Sequence, residues 1–170
     1  MVLEKKSLRR YLSWALDNAK ESQLGVLCEV PLFKGMGRKL LRKLLIDLVE
    51  KKYSEGEVVF HEGDSGKALY VVLEGSVRII KKSNPENITL AVLGSGSHFG
   101  ELALIGNCTR YATAVAEKDA LLLIMYKAYF DDLIRGNSAI SSVILLNLAE
   151  ILARYIRHNQ PERNDEKTQS

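Results

Sequence analysis

Apolar positions along this chain recur first with the period of a helix, then with that of strands, and finally with that of helices again. Leu8, Tyr11, Leu12, Ala15, Leu16 and Ala19 stand at helical spacing with Arg9, Arg10, Ser13, Asp17 and Lys20 between them, which predicts an amphipathic helix over residues 4–23 with Trp14 beside its stripe. That stripe requires burial, on the rest of the domain or on a partner. After Gly25, Pro31 interrupts any helix, and Leu40, Leu41, Leu44, Leu45 and Leu48 then predict a second helix from Arg38 to Lys51. From Tyr53 the texture changes to short valine- and tyrosine-rich runs punctuated by Gly56, Gly63, Gly66 and Gly75. Strands are expected at Val58–Phe60, Leu69–Leu73, Val77–Ile80, Ile88–Leu93, Ala114–Ala116 and Ala120–Met125, with the polar segment 83–87 as a turn. Many short strands at such spacing suggest a barrel or jelly roll. A helix from Lys127 to Ile134 meets a stop signal at Arg135-Gly136-Asn137, and Ser138 opens a long helix to His158.

The resulting class is mainly β with flanking helices, divided as a helical segment 1–52 packed on the domain, a β-roll 53–126, C-terminal helices 127–159 and a disordered polar tail 160–170. The last helix is broader than one contact surface needs. Ile140, Ile144, Leu148, Ile151 and Tyr155 form one stripe, and Val143, Leu145, Leu146, Leu152 and Ile156 widen it. Deep burial, a dimer seam and a lid over a ligand are all compatible with that pattern.

Composition narrows the class further. The chain has 170 residues, room for one domain with flanking helices, and its 46% apolar and 26% charged content is ordinary for a soluble globular protein. No unbroken apolar run approaches the ~20 residues that span a bilayer. The start, MVLEKKSLRR, lacks the apolar core of a secretory signal, and Cys28 and Cys108 are too few for a disulfide framework, so a reducing cytoplasm is expected. A formal net charge of +3, with 24 basic residues spread along the chain, gives no nucleic-acid footprint.

Candidate chemistry concentrates in Phe99–Ala116, FGELALIGNCTRYATAVA. Gly100 permits a tight turn, after which Glu101-Leu102-Ala103-Leu104 can form one helical turn with unpaired amides at its start, a geometry that attracts phosphate. Arg110 lies beyond the small, polar Gly106-Asn107-Cys108-Thr109 link, so the chain can fold back and bring its guanidinium to those amides. Glu101 only accepts hydrogen bonds and repels an anion, so it needs a donor such as a sugar hydroxyl. One phosphate beside one sugar points to a nucleotide. The competing reading is an internal Glu101–Arg110 salt bridge that caps a turn.

These residues resemble the phosphate-binding cassette of the cyclic nucleotide-binding domain, in which Phe-Gly-Glu-Leu-Ala, here Phe99–Ala103, is followed by Arg-x-Ala-Thr, here Arg110–Thr113. The resemblance extends over Tyr53–Ile79 and covers about two thirds of the chain. It implies a β-roll or jelly-roll domain of the type found in catabolite activator protein and protein kinase regulatory subunits, with N-terminal helices and a long C-terminal helix. It further implies a site built from Gly100, Glu101, Leu102, Ala103, Arg110, Tyr111, Ala112 and Thr113. Glu101 would take the ribose 2′-hydroxyl, Arg110 an exocyclic phosphate oxygen, and the amides of Ala103, Tyr111 and Ala112 the other phosphate oxygens. The expected ligand is cAMP, with cGMP second; no metal and no other cofactor is implied. Thr109 replaces a frequent proline, and Tyr111 stands where the family usually has alanine, serine or threonine. Its ring can stack on the base, close over it, obstruct it or point away.

A regulatory sensor without catalysis follows, signalling through helix rearrangement to an effector protein, with a homodimer through the last helix as a further option. Two other readings compete. One is a fold that has lost its ligand and serves as an interaction or dimerisation module; the other, a cupin-like metalloenzyme, finds His61, His98 and His158 scattered rather than clustered. No helix-turn-helix is expected after the long helix, and neither nucleic acid nor membrane is an expected partner.

Overall fold

A computed structural model describes residues 18–136 and 138–158 of the chain. The first part of the expected N-terminal helix, Trp14 and the tail 160–170 lie outside these residues. Helix α1 occupies residues 18–29 and runs into a single 3-10 turn at Pro31–Phe33, where the proline ring suits the first position of a helical turn. Helix α2 spans Arg38–Ile46. Eight strands follow: β1 Val49–Tyr53, β2 Val58–Phe60, β3 Ala68–Glu74, β4 Ser76–Lys81, β5 Ile88–Gly94, β6 His98–Phe99, β7 Thr113–Ala116 and β8 Ala120–Tyr126. A 3-10 turn at Glu101–Leu104 sits between β6 and β7, and helices α3, Lys127–Gly136, and α4, Ser138–His158, close the chain.

The strands form two antiparallel four-stranded sheets, ordered β1-β8-β3-β6 and β2-β7-β4-β5. Tyr53, Ala68, Tyr70, Val72, Val77, Phe99, Ala114, Ala116, Ala120, Leu122 and Ile124 fill the space between them. Strand β3 shows how one run serves two cores. Its even-numbered residues Ala68, Tyr70 and Val72 point into the roll, and Leu69, Val71 and Leu73 point to the opposite face, where the helices pack. All six are buried.

The second core joins Leu24, Leu27, Val30, Leu32 and Phe33 to Leu41 and Leu44 of α2, Leu104 of the 3-10 turn, Phe130 of α3, and Ile140, Ile144, Leu148 and Ile151 of α4. Asn147 fixes the docking of α4 by donating to the carbonyls of Leu32, 2.9 Å, and Lys34, 2.8 Å. By length and composition alone Ala139–Arg157 would suffice to cross a membrane, although no unbroken apolar run in the sequence indicates it. Its buried face is seated on the sheet and the first two helical elements, as a core helix is.

Two expectations need correction. The second helix stops at Ile46, not Lys51, and the segment 1–52 is not wholly helical. Val49–Tyr53 pairs in register with Ile124–Ala120 as an edge strand. The leucine period overran because Leu45 and Leu48 still pack on the helical core, although the chain has already turned at Asp47. Strand β6, two residues long, is too short to show any period in sequence.

Candidate functional site

Gly100 adopts the left-handed conformation, φ 77° and ψ 17°, between β6 and the 3-10 turn. A β-carbon there would stand 2.5 Å from Arg110 Nη1 and 3.2 Å from the Ala68 carbonyl oxygen, so only glycine allows the arginine to lie across this turn. Gly66 serves the facing loop similarly: its N–H donates to the Cys108 carbonyl at 3.0 Å, and a β-carbon would press on Ala103 and that same carbonyl.

Arg110 is 7% exposed although it is a cation. Its Nη2 donates to the Ala68 carbonyl at 2.9 Å and its Nη1 to the Gly100 carbonyl at 3.3 Å. The guanidinium lies 4.0 Å from the centroid of Phe60 and 5.5 Å from that of Tyr70, and these rings pack with Phe99 at centroid distances of 5.1–5.9 Å. Its Nε has no partner among the described residues. Burial lowers the arginine pKa, opposed by Tyr70, Asp64 and Glu101. A buried cation with an unpaired donor and no carboxylate bonded to it has capacity for an anion.

Glu101 is 5% exposed and lies one residue from that glycine. No ion pair joins it to Arg110 among the described residues, so the salt-bridge reading of the pair does not hold. The phenol of Tyr155, from the last turns of α4, lies near Glu101; burial first and this carboxylate second push the phenol pKa up to about 12. His98 lies near the same carboxylate, its pKa lowered chiefly by burial. Within the 3-10 turn the Ala103 N–H donates to the Gly100 carbonyl at 3.1 Å. Leu102 is 40% exposed, whereas Ala103 and Leu104 are buried. Lys127 Nζ reaches the Leu104 carbonyl at 3.0 Å and Asp131 at 3.0 Å, tying the turn to α3.

The other limb, Arg110–Thr113, is held from outside. Arg110 N–H donates to the Asp64 carbonyl, 2.8 Å, and the Arg110 carbonyl accepts from Gly63 N–H, 2.9 Å. Thr113 Oγ1 accepts from Glu62 N–H at 2.9 Å. The Tyr111 ring is 66% exposed, and Lys81 Nζ sits over it 4.1 Å from the centroid, so the ring stands clear of Arg110, whose aromatic neighbours are Phe60 and Tyr70. The structure thus gathers Gly100, Glu101, Leu102, Ala103, Arg110, Tyr111, Ala112 and Thr113 around one corner of the roll. Phe60, Tyr70, Lys81, Glu62 and Tyr155 also belong to it, and sequence reasoning did not find them. Their only common signal is placement on strands and a helix that the topology brings to that corner. Among the described residues no group of three or more histidine, cysteine, aspartate or glutamate side chains could hold a metal.

An open cleft of about 450 Å³ is lined by Glu29, Pro31, Leu93, Ser95, Gly96, Ser97 and His98. No lysine or arginine lines it, whereas the cassette corner holds Arg110.

A β-roll with a buried arginine, a turn start and a buried carboxylate at one corner is the architecture of a small-ligand-binding regulatory domain. The family model described as "Cyclic nucleotide-binding domain" matches residues 50–137, and the chain belongs to that family. It is 36% identical over 128 residues to the Cyclic AMP receptor protein of Thermus thermophilus, covering 75% of this chain and 57% of that one. The chain therefore spans just over half the length of that relative. Among solved structures it superimposes on the N-terminal domain of a transcriptional regulator from Streptomyces coelicolor with a TM-score of 0.72 and 28% identity, covering 80% of this chain and 98% of that one. The regulatory domain of Toxoplasma gondii PKA, co-crystallised with cAMP, aligns with a TM-score of 0.63 and 30% identity over 68% of this chain and 44% of that one.

Proposed function

We propose that this domain binds cAMP, with cGMP as the second choice, and passes the binding event to a partner protein through α4. The observation that carries this reading is Arg110, buried and unpaired with any acid, held against the left-handed Gly100 turn beside Glu101. A cyclic phosphate would meet the guanidinium and the free amides, and the ribose hydroxyl would donate to Glu101. Relatives of this family named for cAMP, one of them co-crystallised with it, favour adenine. The two exposed free cysteines suit the reducing cytoplasm.

Coupling to α4 has two routes. Leu104, at the end of the cassette turn, shares a core with Ile140, Ile144 and Leu148, so a shift of the turn disturbs the helix seat. The Tyr155 phenol lies near the carboxylate that the ribose would use, so ligand and helix meet at one acceptor. The exposed residues Leu145, Ala149 and Ile156, with half-buried Leu152, recur at alternating steps of three and four. That is the spacing of a two-helix seam, which supports a homodimer through α4.

Calorimetric titration of nucleotide-stripped protein with cAMP, cGMP and 5′-AMP tests the reading. Binding of a cyclic nucleotide in preference to 5′-AMP, with affinity reduced roughly a hundredfold in Arg110→Ala, is the expected result, since a charge-assisted hydrogen bond is worth about 1.5–3 kcal/mol and this arginine makes more than one. No binding to any of the three, at two temperatures, would favour the ligand-free interaction module instead.

A further inference from the structure

The exit limb of the cassette is clamped by two charged residues that neither the family's motif nor the spacing of the chain singles out. Lys81, at the end of β4, donates from Nζ to the Tyr111 carbonyl at 2.7 Å and to Glu62 Oε1 at 2.8 Å. The second oxygen of Glu62 accepts from the Lys82 N–H at 2.9 Å, and the Glu62 N–H goes to Thr113. Both side chains are largely shielded, 28% and 21% exposed. Lysine and glutamate therefore form one brace from β4 to the loop after β2 and to both ends of Tyr111–Thr113.

The carbonyl that Lys81 holds belongs to the same peptide group as the Ala112 N–H. In a trans peptide those two groups lie in the peptide plane and point in opposite directions, so fixing the carbonyl outward turns the N–H inward. Ala112 is 6% exposed, and no acceptor takes its N–H among the described residues. A shielded backbone donor without an acceptor is uncommon and marks a place where a ligand supplies the acceptor. A cation on the carbonyl oxygen also draws electron density from the peptide, which makes its N–H a better donor to an anion.

We propose that Lys81, braced by Glu62, is a positioning residue for the bound phosphate: it fixes the Tyr111–Ala112 peptide so that the Ala112 N–H faces the anion beside Arg110. This rests on the cyclic nucleotide reading and deepens it. Lys81 itself stays on the outer side of the peptide, bonded to Glu62 and stacked on Tyr111.

The test is a ¹H–¹⁵N titration with cAMP of the wild type, Lys81→Met, Lys81→Arg and Glu62→Gln. In the wild type the Ala112 amide proton moves downfield on saturation. In Lys81→Met that shift shrinks, the Leu102 amide responds as before, and affinity falls about tenfold, the size expected for a hydrogen bond to a charged group that is no longer aimed. Lys81→Arg restores both, since arginine still donates to the carbonyl. Glu62→Gln separates positioning from bulk charge. Removing a nearby negative charge tightens phosphate binding if Lys81 acts only as a point charge, but weakens it if the brace matters. Tighter or unchanged binding in Glu62→Gln, or an unaltered Ala112 shift and affinity in Lys81→Met, overturns the proposal while leaving cAMP binding intact. A wild type that gives no response to cAMP removes the nucleotide reading and this inference with it.

Discussion

The two limbs of the cassette are built in different ways. The entry limb, Phe99–Leu104, is shaped by its own backbone: a left-handed glycine, one 3-10 turn and an internal hydrogen bond from Ala103 to Gly100. The exit limb, Arg110–Thr113, has no regular structure until β7 begins, and groups from elsewhere hold it: Lys81 Nζ on its carbonyl, the Glu62 backbone N–H on its threonine, the backbone of Gly63 and Asp64 on Arg110, and the Phe60 and Tyr70 rings on its guanidinium. A limb fixed by its backbone keeps its shape whatever surrounds it. A limb fixed by neighbours inherits every change in them, so it is the part of the site that transmits packing into affinity and affinity into packing.

If that contrast holds, the largest loss at the entry limb comes from the glycine itself. Gly100→Ala places a methyl group against the guanidinium and imposes a left-handed alanine, costing about 1–2 kcal/mol of stability. Displacing the arginine should lower cAMP affinity by roughly ten- to a hundredfold, the worth of one or two charge-assisted contacts. Thermal melts and titrations measure the two effects separately. A variant that binds normally would mean that the arginine does not need to lie across this turn.

A smaller change is expected where the cassette meets α4. Tyr155→Phe deletes the hydroxyl that lies near Glu101. Because the ribose needs the same acceptor, affinity for cAMP should rise severalfold, a typical hydrogen bond being worth about 1 kcal/mol net. Amide exchange in the last turns of α4 should quicken in the free protein. Weaker binding in this variant would make Tyr155 a ligand contact and not a competitor.

The smallest effect is one of pH. The folded pKa of Tyr155 is raised to about 12 from the ordinary 10.0, so its protonated form contributes stability that is complete below pH 10 and is lost as pH climbs towards 12. Tyr129, beside Asp47, is raised to about 12 as well, chiefly by burial, and contributes in the same window. Denaturant unfolding between pH 9 and 12 should therefore show a decline that is shallower in Tyr155→Phe and shallower again when Tyr129→Phe is added.

The same contrast governs what the sequence discloses. Entry-limb geometry is local, so Phe99-Gly100-Glu101 and the start of a helical turn can be read from consecutive residues. The strands β2–β5, β7 and β8 appear at or within a residue or two of their expected bounds, because each has an apolar run between turn residues. So does the buried stripe Ile140, Ile144, Leu148 and Ile151, whose helical spacing is unbroken. Strand β1 is hidden because Val49–Tyr53 is mostly charged and exposed at a sheet edge, with only Tyr53 buried. The partners of Arg110 and the Lys81–Glu62 brace are hidden for another reason. They come from β2, β3, β4 and the loop after β2, and nothing in a linear pattern states which strand ends share a corner. Tyr111 shows the limit most directly: its size suggests a role at the base, and its surroundings place the ring outward under Lys81.

A crystal structure of the chain with cAMP tests the central claim most directly. The expected electron density puts the cyclic phosphate between the Arg110 guanidinium and the amides of the entry turn and Ala112, with the ribose 2′-hydroxyl on Glu101 and the Tyr155 phenol displaced from it. Nucleotide density in the cleft beside Glu29, Ser95 and His98, with Arg110 and Glu101 untouched, would contradict the assignment of the cassette as the site.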